Sequence, residues 1–173
     1  RGRIRPRDRQ ISALAQAALI VSGGLTPRAL NLLAEAALEL VPGDSVLLFV
    51  RVPGAGLELV ASSGHHTAPI GARAVPGAIA TAYLDRRTRT VDRVIGRSLG
   101  VAVPGAASAL VVPILGPGGA SGVIVALAKS PSAYQVQHER ALEVYASFLA
   151  ALLSSPPAVM ALETNQVAVA HEA

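Results

Sequence analysis

The residues with the type and spacing for chemistry are few in this sequence. In SSGHHTA, the pair His65-His66 follows Ser62-Ser63. Imidazoles bind metal or haem, titrate near neutral pH, or act as the base for a serine. Adjacent side chains on an extended segment point to opposite sides, no third ligand lies nearby, and no residue is marked to orient a base. A ligand contact by His65 therefore stands beside a plain solvated loop. Downstream, Arg86, Arg87, Arg89, Arg93 and Arg97 cluster around Asp85 and Asp92. Guanidinium groups present a planar fork of donors that suits phosphate or carboxylate. The same cluster also reads as a solvated face or a partner contact. Tyr83 is placed either to close a pocket or to pack in the core. Gly116-Pro117-Gly118-Gly119 lacks the Lys-Ser/Thr and the following helix of a phosphate loop, so it reads as a turn.

Composition removes whole classes of function. The chain has 173 residues, 51% of them hydrophobic and 3% aromatic. It is therefore a folded domain with an aliphatic core rather than a disordered chain. With 0 cysteines, disulfides, thiol catalysis and Cys-ligated metal are excluded. No apolar run reaches the length of a membrane span, and no signal-peptide pattern is present. These features fit a cytoplasmic protein. The net charge of +4 resides entirely in the first ten residues, where Arg1, Arg3, Arg5, Arg7 and Arg9 face only Asp8. This basic arm has no aromatic residue to stack on bases, so it offers nucleic acid only a weak electrostatic contact.

The elements that must position these residues follow from periodicity. Ile11, Leu14, Ala18 and Val21 recur at helical spacing and stop at Gly23-Gly24. Thr26-Pro27 starts a second helix with Thr as N-cap, carrying the stripe Leu30, Leu33, Ala37, Leu40 and Val41 as far as Pro42-Gly43. Residues 45–50 and 57–61 read as a hairpin across Pro53–Gly56, followed by a loop over 62–75. A short helix over 76–84 and a short strand over 88–91 come next. Residues 109–115 and 122–128 form a second hairpin. Its connection, 116–121, is too long for a two-residue turn. Pro113 cannot donate to a ladder and predicts a local edge. A final helix carries the expected core stripe Ala141, Val144, Tyr145, Phe148 and Leu152 and ends at Pro156-Pro157. This order predicts an α+β domain, an antiparallel sheet with flanking helices whose N- and C-terminal members pack together. The expected organisation is a basic arm over 1–10, one domain over 11–153, and a tail or linker over 154–173.

Over residues 26–153 this order resembles a GAF domain. LNLLAEAALELVPGDSVLLFV is similar to the first helix and strand of that family. GARAVPGAIATAYLDRRTRTVD is similar to its middle helix and short strand, and SALVVPILGPGGASGVIVALAK to its penultimate hairpin. PAS and roadblock-like domains share the general shape. The Pro113 strand and a helix at each end favour GAF. The resemblance implies a sensor or dimerisation module attached to an effector. Bilin-tethering members and the free methionine sulfoxide reductases of this fold need cysteines, which this chain lacks. The cyclic-nucleotide signature Asn-Lys…Phe…Asp-Glu meets Ala128-Lys129…Tyr134…Gln137-His138-Glu139 here, so that ligand is not expected.

The resulting expectation is a non-enzymatic module with no metal and no cofactor. It binds a small molecule or partner between the sheet and residues 62–106 through His65, Tyr83, Arg86, Arg93 and Ser108. It forms a homodimer through helices 11–22 and 135–153, because ISALAQAALIVS and FLAALL are too apolar to stay uncovered. The signal would pass to a neighbouring effector domain or protein. The alternative is a purely structural assembly domain whose pocket is filled by its own side chains.

Overall fold

The computed structural model describes residues 26–54, 56–65 and 68–154. The expected helix over 11–22, the basic arm, His66 and the tail beyond 154 lie outside the described residues. The order is α1 (Pro27–Leu38), β1 (Ser45–Val52), β2 (Gly56–Gly64), α2 (Ala78–Asp85), β3 (Arg89–Val91), β4 (Ser108–Gly116), β5 (Gly119–Ala128) and α3 (Val136–Leu153). The five strands make one antiparallel sheet in the order β2-β1-β5-β4-β3.

Local chemistry starts each element. Thr26 takes an extended conformation and its Oγ1 accepts from the Ala29 N–H at 3.1 Å, with Pro27 in the first turn. This satisfies one of the orphan donors of α1. The helix ends at Leu38, short of the expected Pro42-Gly43. Gly43 then runs so close to β5 that a Cβ there would stand 2.7 Å from the Leu127 carbonyl oxygen. Asp44 follows, and its carboxylate accepts from the Lys129 N–H at 2.8 Å. The entry to β1 is thereby tied to the exit of β5.

The sheet separates two cores because strand side chains alternate. Val46, Leu48 and Val50 of β1 face α1 and α3, together with Leu110, Val112, Ile114, Ile124 and Ala126. Leu47 and Phe49 face the opposite layer, with Val111, Val123, Val125 and Leu127. That layer consists of α2 and the irregular segments around it, which supply Ile79, Leu99, Val101 and Val103. A bulge between Leu48 and Phe49 in the β1–β2 register shifts the alternation by one residue. Leu57 and Leu59 consequently serve the second core and Ala61 the first.

Some expectations are corrected. The β4–β5 connection is a two-residue turn, Pro117-Gly118, with Gly116 opposite Gly119; a shift in register beyond Ile114 absorbs the extra residue at Ser121. Gly119 at φ +112° supplies the left-handed backbone that this arrangement requires. The predicted loop begins later, since β2 runs to Gly64. The core stripe of α3 is Leu142, Tyr145, Ala146, Leu149, Ala150 and Leu153 rather than the predicted set. Of that set only Tyr145 is fully buried; Val144 is 48% exposed, and Phe148 and Leu152 are half-buried. The helix is apolar over two neighbouring stripes, so periodicity alone did not select one. Pro113 is paired with Val123 of β5, while β3 reaches only from Ala109 to Val111. At Pro113 the strand is locally an edge, as its missing N–H requires.

Candidate functional site

The layer formed by α2 and residues 68–106 is pinned to the sheet by backbone hydrogen bonds. The 71–74 segment runs along β2, with Leu59 N–H to Ala72 O at 2.8 Å and Ala74 N–H to Leu57 O at 3.0 Å. Residues 98–100 accept from the start of α2, Ala78 N–H to Ser98 O at 3.0 Å and Ile79 N–H to Leu99 O at 3.1 Å. Val75 N–H donates to Gly100 O, also at 3.0 Å. Gly77 and Gly100 permit this approach, because a Cβ on Gly77 would lie 2.5 Å from the Gly100 nitrogen. Leu99, Val101 and Val103 are buried beneath, packed with Ile79 against the sheet. These aliphatic side chains make up the part of the second core that lies between the sheet and this layer.

An open cleft of about 320 Å³ lies in this layer. It is lined by Val94, Gly96, Arg97, Ala102, Val103, Pro104, Gly105 and Ala106. Val94, Val103 and the alanines make it largely apolar, and Arg97 supplies a cation at its wall. The volume falls at the lower end of small-molecule pockets.

The five expected ligand residues do not converge. His65 is exposed just past the end of β2, its N–H donating to Asp44 O at 3.1 Å. Arg93 is exposed just past β3, at the same end of the sheet but on the opposite edge, about 19 Å away by strand spacing. Arg86 caps α2 toward the opposite end of the sheet, where β4 turns into β5. Its guanidinium lies over the β4–β5 turn, where a Cβ on Gly119 would meet it at 3.2 Å. Tyr83 is half-buried and packs on the second core. Ser108 is fully buried and in register with the first-core residues of β4. Its hydroxyl donates to Ser130 O at 2.6 Å and receives the Ala133 N–H at 3.4 Å, holding the β5–α3 connection. A short polar side chain at the start of a strand suits this connection-holding role. Arg97 belongs to the arginine cluster that the sequence marks for phosphate or carboxylate, though not to the five expected ligand residues, and the cleft around it is not foreseen there. Gly96 and Pro104-Gly105 were the available sign, as turn residues that open space between side chains.

Polar groups elsewhere serve the architecture. Thr88 and Thr90 donate to Glu143 at 2.9 Å and Glu139 at 2.5 Å, fastening β3 to α3. Arg89 pairs with Asp85 four residues earlier. The Tyr134 hydroxyl is buried against Gly43, and burial together with the nearby Asp44 charge pushes its pKa well above the usual phenol range. Burial does the same for Tyr145. His138 is held below the usual imidazole value by burial, and its Nδ1 accepts the Gln135 N–H at 2.9 Å. Among the described residues, no three His, Cys, Asp or Glu side chains are placed to hold a metal ion. Among them, too, no helix is long and apolar enough to cross a membrane.

A five-stranded antiparallel sheet, with α1 and α3 on one face and a short helix plus long loops on the other, defines an α+β domain. The profile of the GAF domain family matches residues 26–153, and the chain belongs to that family. No curated protein matches the sequence. Among solved structures, the GAF domain of an Acinetobacter phosphoenolpyruvate-protein phosphotransferase is 15% identical at a TM-score of 0.70, covering 84% of this chain and 92% of that one. The corresponding domain from Coxiella burnetii is 18% identical at a TM-score of 0.71, covering 87% and 95%. The free methionine-R-sulfoxide reductase of Neisseria meningitidis, solved with its substrate, is 16% identical at 0.70, covering 88% and 92%. At these identities the likeness is one of fold.

Proposed function

We propose that this GAF domain is a regulatory module without catalysis of its own. It receives a ligand or partner on the α2 and 68–106 layer and responds through the pairing of terminal helices between two copies of the chain. The observation that carries this reading is the second apolar stripe of α3. Val144, Phe148 and Leu152 line the side of the helix that its own sheet leaves partly uncovered. Apolar surface of this kind, on a helix already anchored by its other stripe, favours burial against another helix. The apolar sequence 11–22 adds a matching segment within the same chain. An effector domain or protein joined to these helices would receive the change in pairing.

The reductase neighbours make catalysis the competing reading. A chain with 0 cysteines has no thiol with which to reduce a sulfoxide, and this supports the non-catalytic reading. The open cleft lined by Val94, Arg97 and Val103 supports an input on this layer.

Light scattering on the purified chain tests the assembly. A dimer is expected, converted to a monomer by Val144→Glu and by deletion of residues 1–24. A wild-type chain that is monomeric at all accessible concentrations would overturn it. So would a dimer indifferent to both changes.

A further inference from the structure

The loop over 92–106 carries groups that neither the fold nor its packing uses. Ile95 is 72% exposed. Arg93 and Arg97 are exposed on either side of it, without an ion-pair or hydrogen-bond partner among the described side chains. The loop is nevertheless closely held. The Ile95 N–H donates to Ser98 Oγ at 3.2 Å, and the Ser98 N–H returns to Ile95 O at 3.0 Å. Val94 N–H reaches Ala107 O at 2.7 Å, and Leu99 is buried below. Ile95 thus projects from a backbone pinned on both sides, and Val94 and Arg97 belong to the wall of the cleft.

Charge is divided unevenly between the layers. Residues 71–106 hold six arginines against Asp85 and Asp92, a net +4. The helices of the other layer are acidic on balance, with Glu35, Glu39, Glu139 and Glu143 against Arg28 and Arg140. Within the loop itself Arg93 and Arg97 stand against Asp92, a net +1, so its surface favours anions over cations. A projecting aliphatic side chain beside unpaired arginines and an apolar cleft has the composition of a protein contact patch. Single-stranded nucleic acid would want exposed aromatic rings, and the one tyrosine of this layer, Tyr83, is half-buried in the core.

We propose that the 92–106 loop is the docking surface for an acidic segment of a partner protein. Carboxylates of that segment pair with Arg93 and Arg97. An apolar side chain of the segment enters the cleft beside Val94 and Val103, against Ile95. Because the loop is already ordered, docking spends little free energy on arranging it. The inference rests on the input side of the regulatory reading and is independent of pairing through α3.

Fluorescence anisotropy of a labelled Glu/Leu peptide with the full chain tests it, beside a Lys/Leu peptide of the same pattern and a single-stranded oligonucleotide. The Glu/Leu peptide is expected to bind and to weaken as salt rises. Arg93→Glu with Arg97→Glu should weaken it about a hundredfold, the scale of charge reversal at paired sites. Ile95→Ala should weaken it about tenfold, the scale of one central contact. Arg86→Glu with Arg87→Glu, on the same layer away from the cleft, should change it about twofold or less, as rim charges do. All these side chains are exposed, and unchanged thermal midpoints will verify that the variants fold. Overturning results are no binding of the Glu/Leu peptide, equal loss in both charge-reversal pairs, or preference for the oligonucleotide. Light scattering on the same samples separates the two claims. Arg93→Glu with Arg97→Glu should remain dimeric, and Val144→Glu should lose the dimer while still binding the peptide.

Discussion

The hydroxyl of Tyr145 donates to the backbone carbonyl of Leu33 at 2.7 Å, with both residues buried. The contact joins α3 to α1 across the first core and fixes how far α3 can rotate. It also decides which of the two apolar stripes of that helix faces the sheet. Any signal leaving through α3 begins at a helix held in this way.

Tyr145→Phe keeps the ring and removes the donor. Since one net buried hydrogen bond is lost, unfolding free energy should fall by about 1–1.5 kcal/mol, read from urea denaturation with an unchanged m-value. A loss within the error of the measurement would show that the bond adds nothing beyond ring packing.

Gly122 and Gly118 lie in the same hairpin and should respond oppositely. A Cβ on Gly122 would stand 2.2 Å from the Phe49 carbonyl oxygen, so β1 and β5 would have to separate. Gly122→Ala should cost on the order of 2–3 kcal/mol. Gly118 has nothing within 4 Å of its added Cβ and no left-handed φ. Gly118→Ala should stay within about 0.5 kcal/mol of wild type. Thermal melts of both variants make the comparison.

Arg86 closes α2 in the left-handed region at φ 57° and ψ 39°, a conformation that disfavours any residue with a Cβ. Arg86→Gly removes that strain and should raise stability by about 0.5–1 kcal/mol, the larger freedom of glycine in the unfolded chain limiting the gain. A fall in the melting temperature would mean that the guanidinium packed over Gly119 contributes more than the backbone strain costs.

His138 makes stability depend on pH. Its Nδ1 accepts the Gln135 N–H in the cap of α3, and its folded pKa lies below the ordinary value. As pH falls, the unfolded chain therefore takes up the proton first. Its contribution is complete above about pH 6.5 and declines as pH drops below that value. His138→Gln keeps an acceptor at the third helical position and should remove this part of the decline. Unfolding curves at pH 7.5 and 5.5, values chosen to bracket the imidazole range, measure it.

Much of the architecture is legible in the residues themselves. Thr26-Pro27 announces α1, the continuous apolar runs of residues 45–50 and 122–128 announce buried strands, and Pro113 announces a local edge. These are short-range signals, because capping, backbone geometry and apolar patterning act within a few residues. They account for the element order and, through the GAF resemblance, for the fold.

What the tertiary structure decided depends on contacts between distant segments. Leu142, Ala146 and Leu149 are buried in the first core, while Phe148 only packs at its margin and Val144 is exposed, because Tyr145 meets Leu33 of another helix. The Ser108 hydroxyl holds Ser130 and Ala133 because β4 begins beside the β5–α3 connection. The hairpin closes on Pro117-Gly118 because the β4–β5 register shifts after Ile114, a choice made by pairing along the whole strand. Arg97 stands at a cleft because Leu99, Val101 and Val103 anchor the loop from beneath. In each case the residue type permitted several environments. The packing partner, separated by tens of residues, selected one.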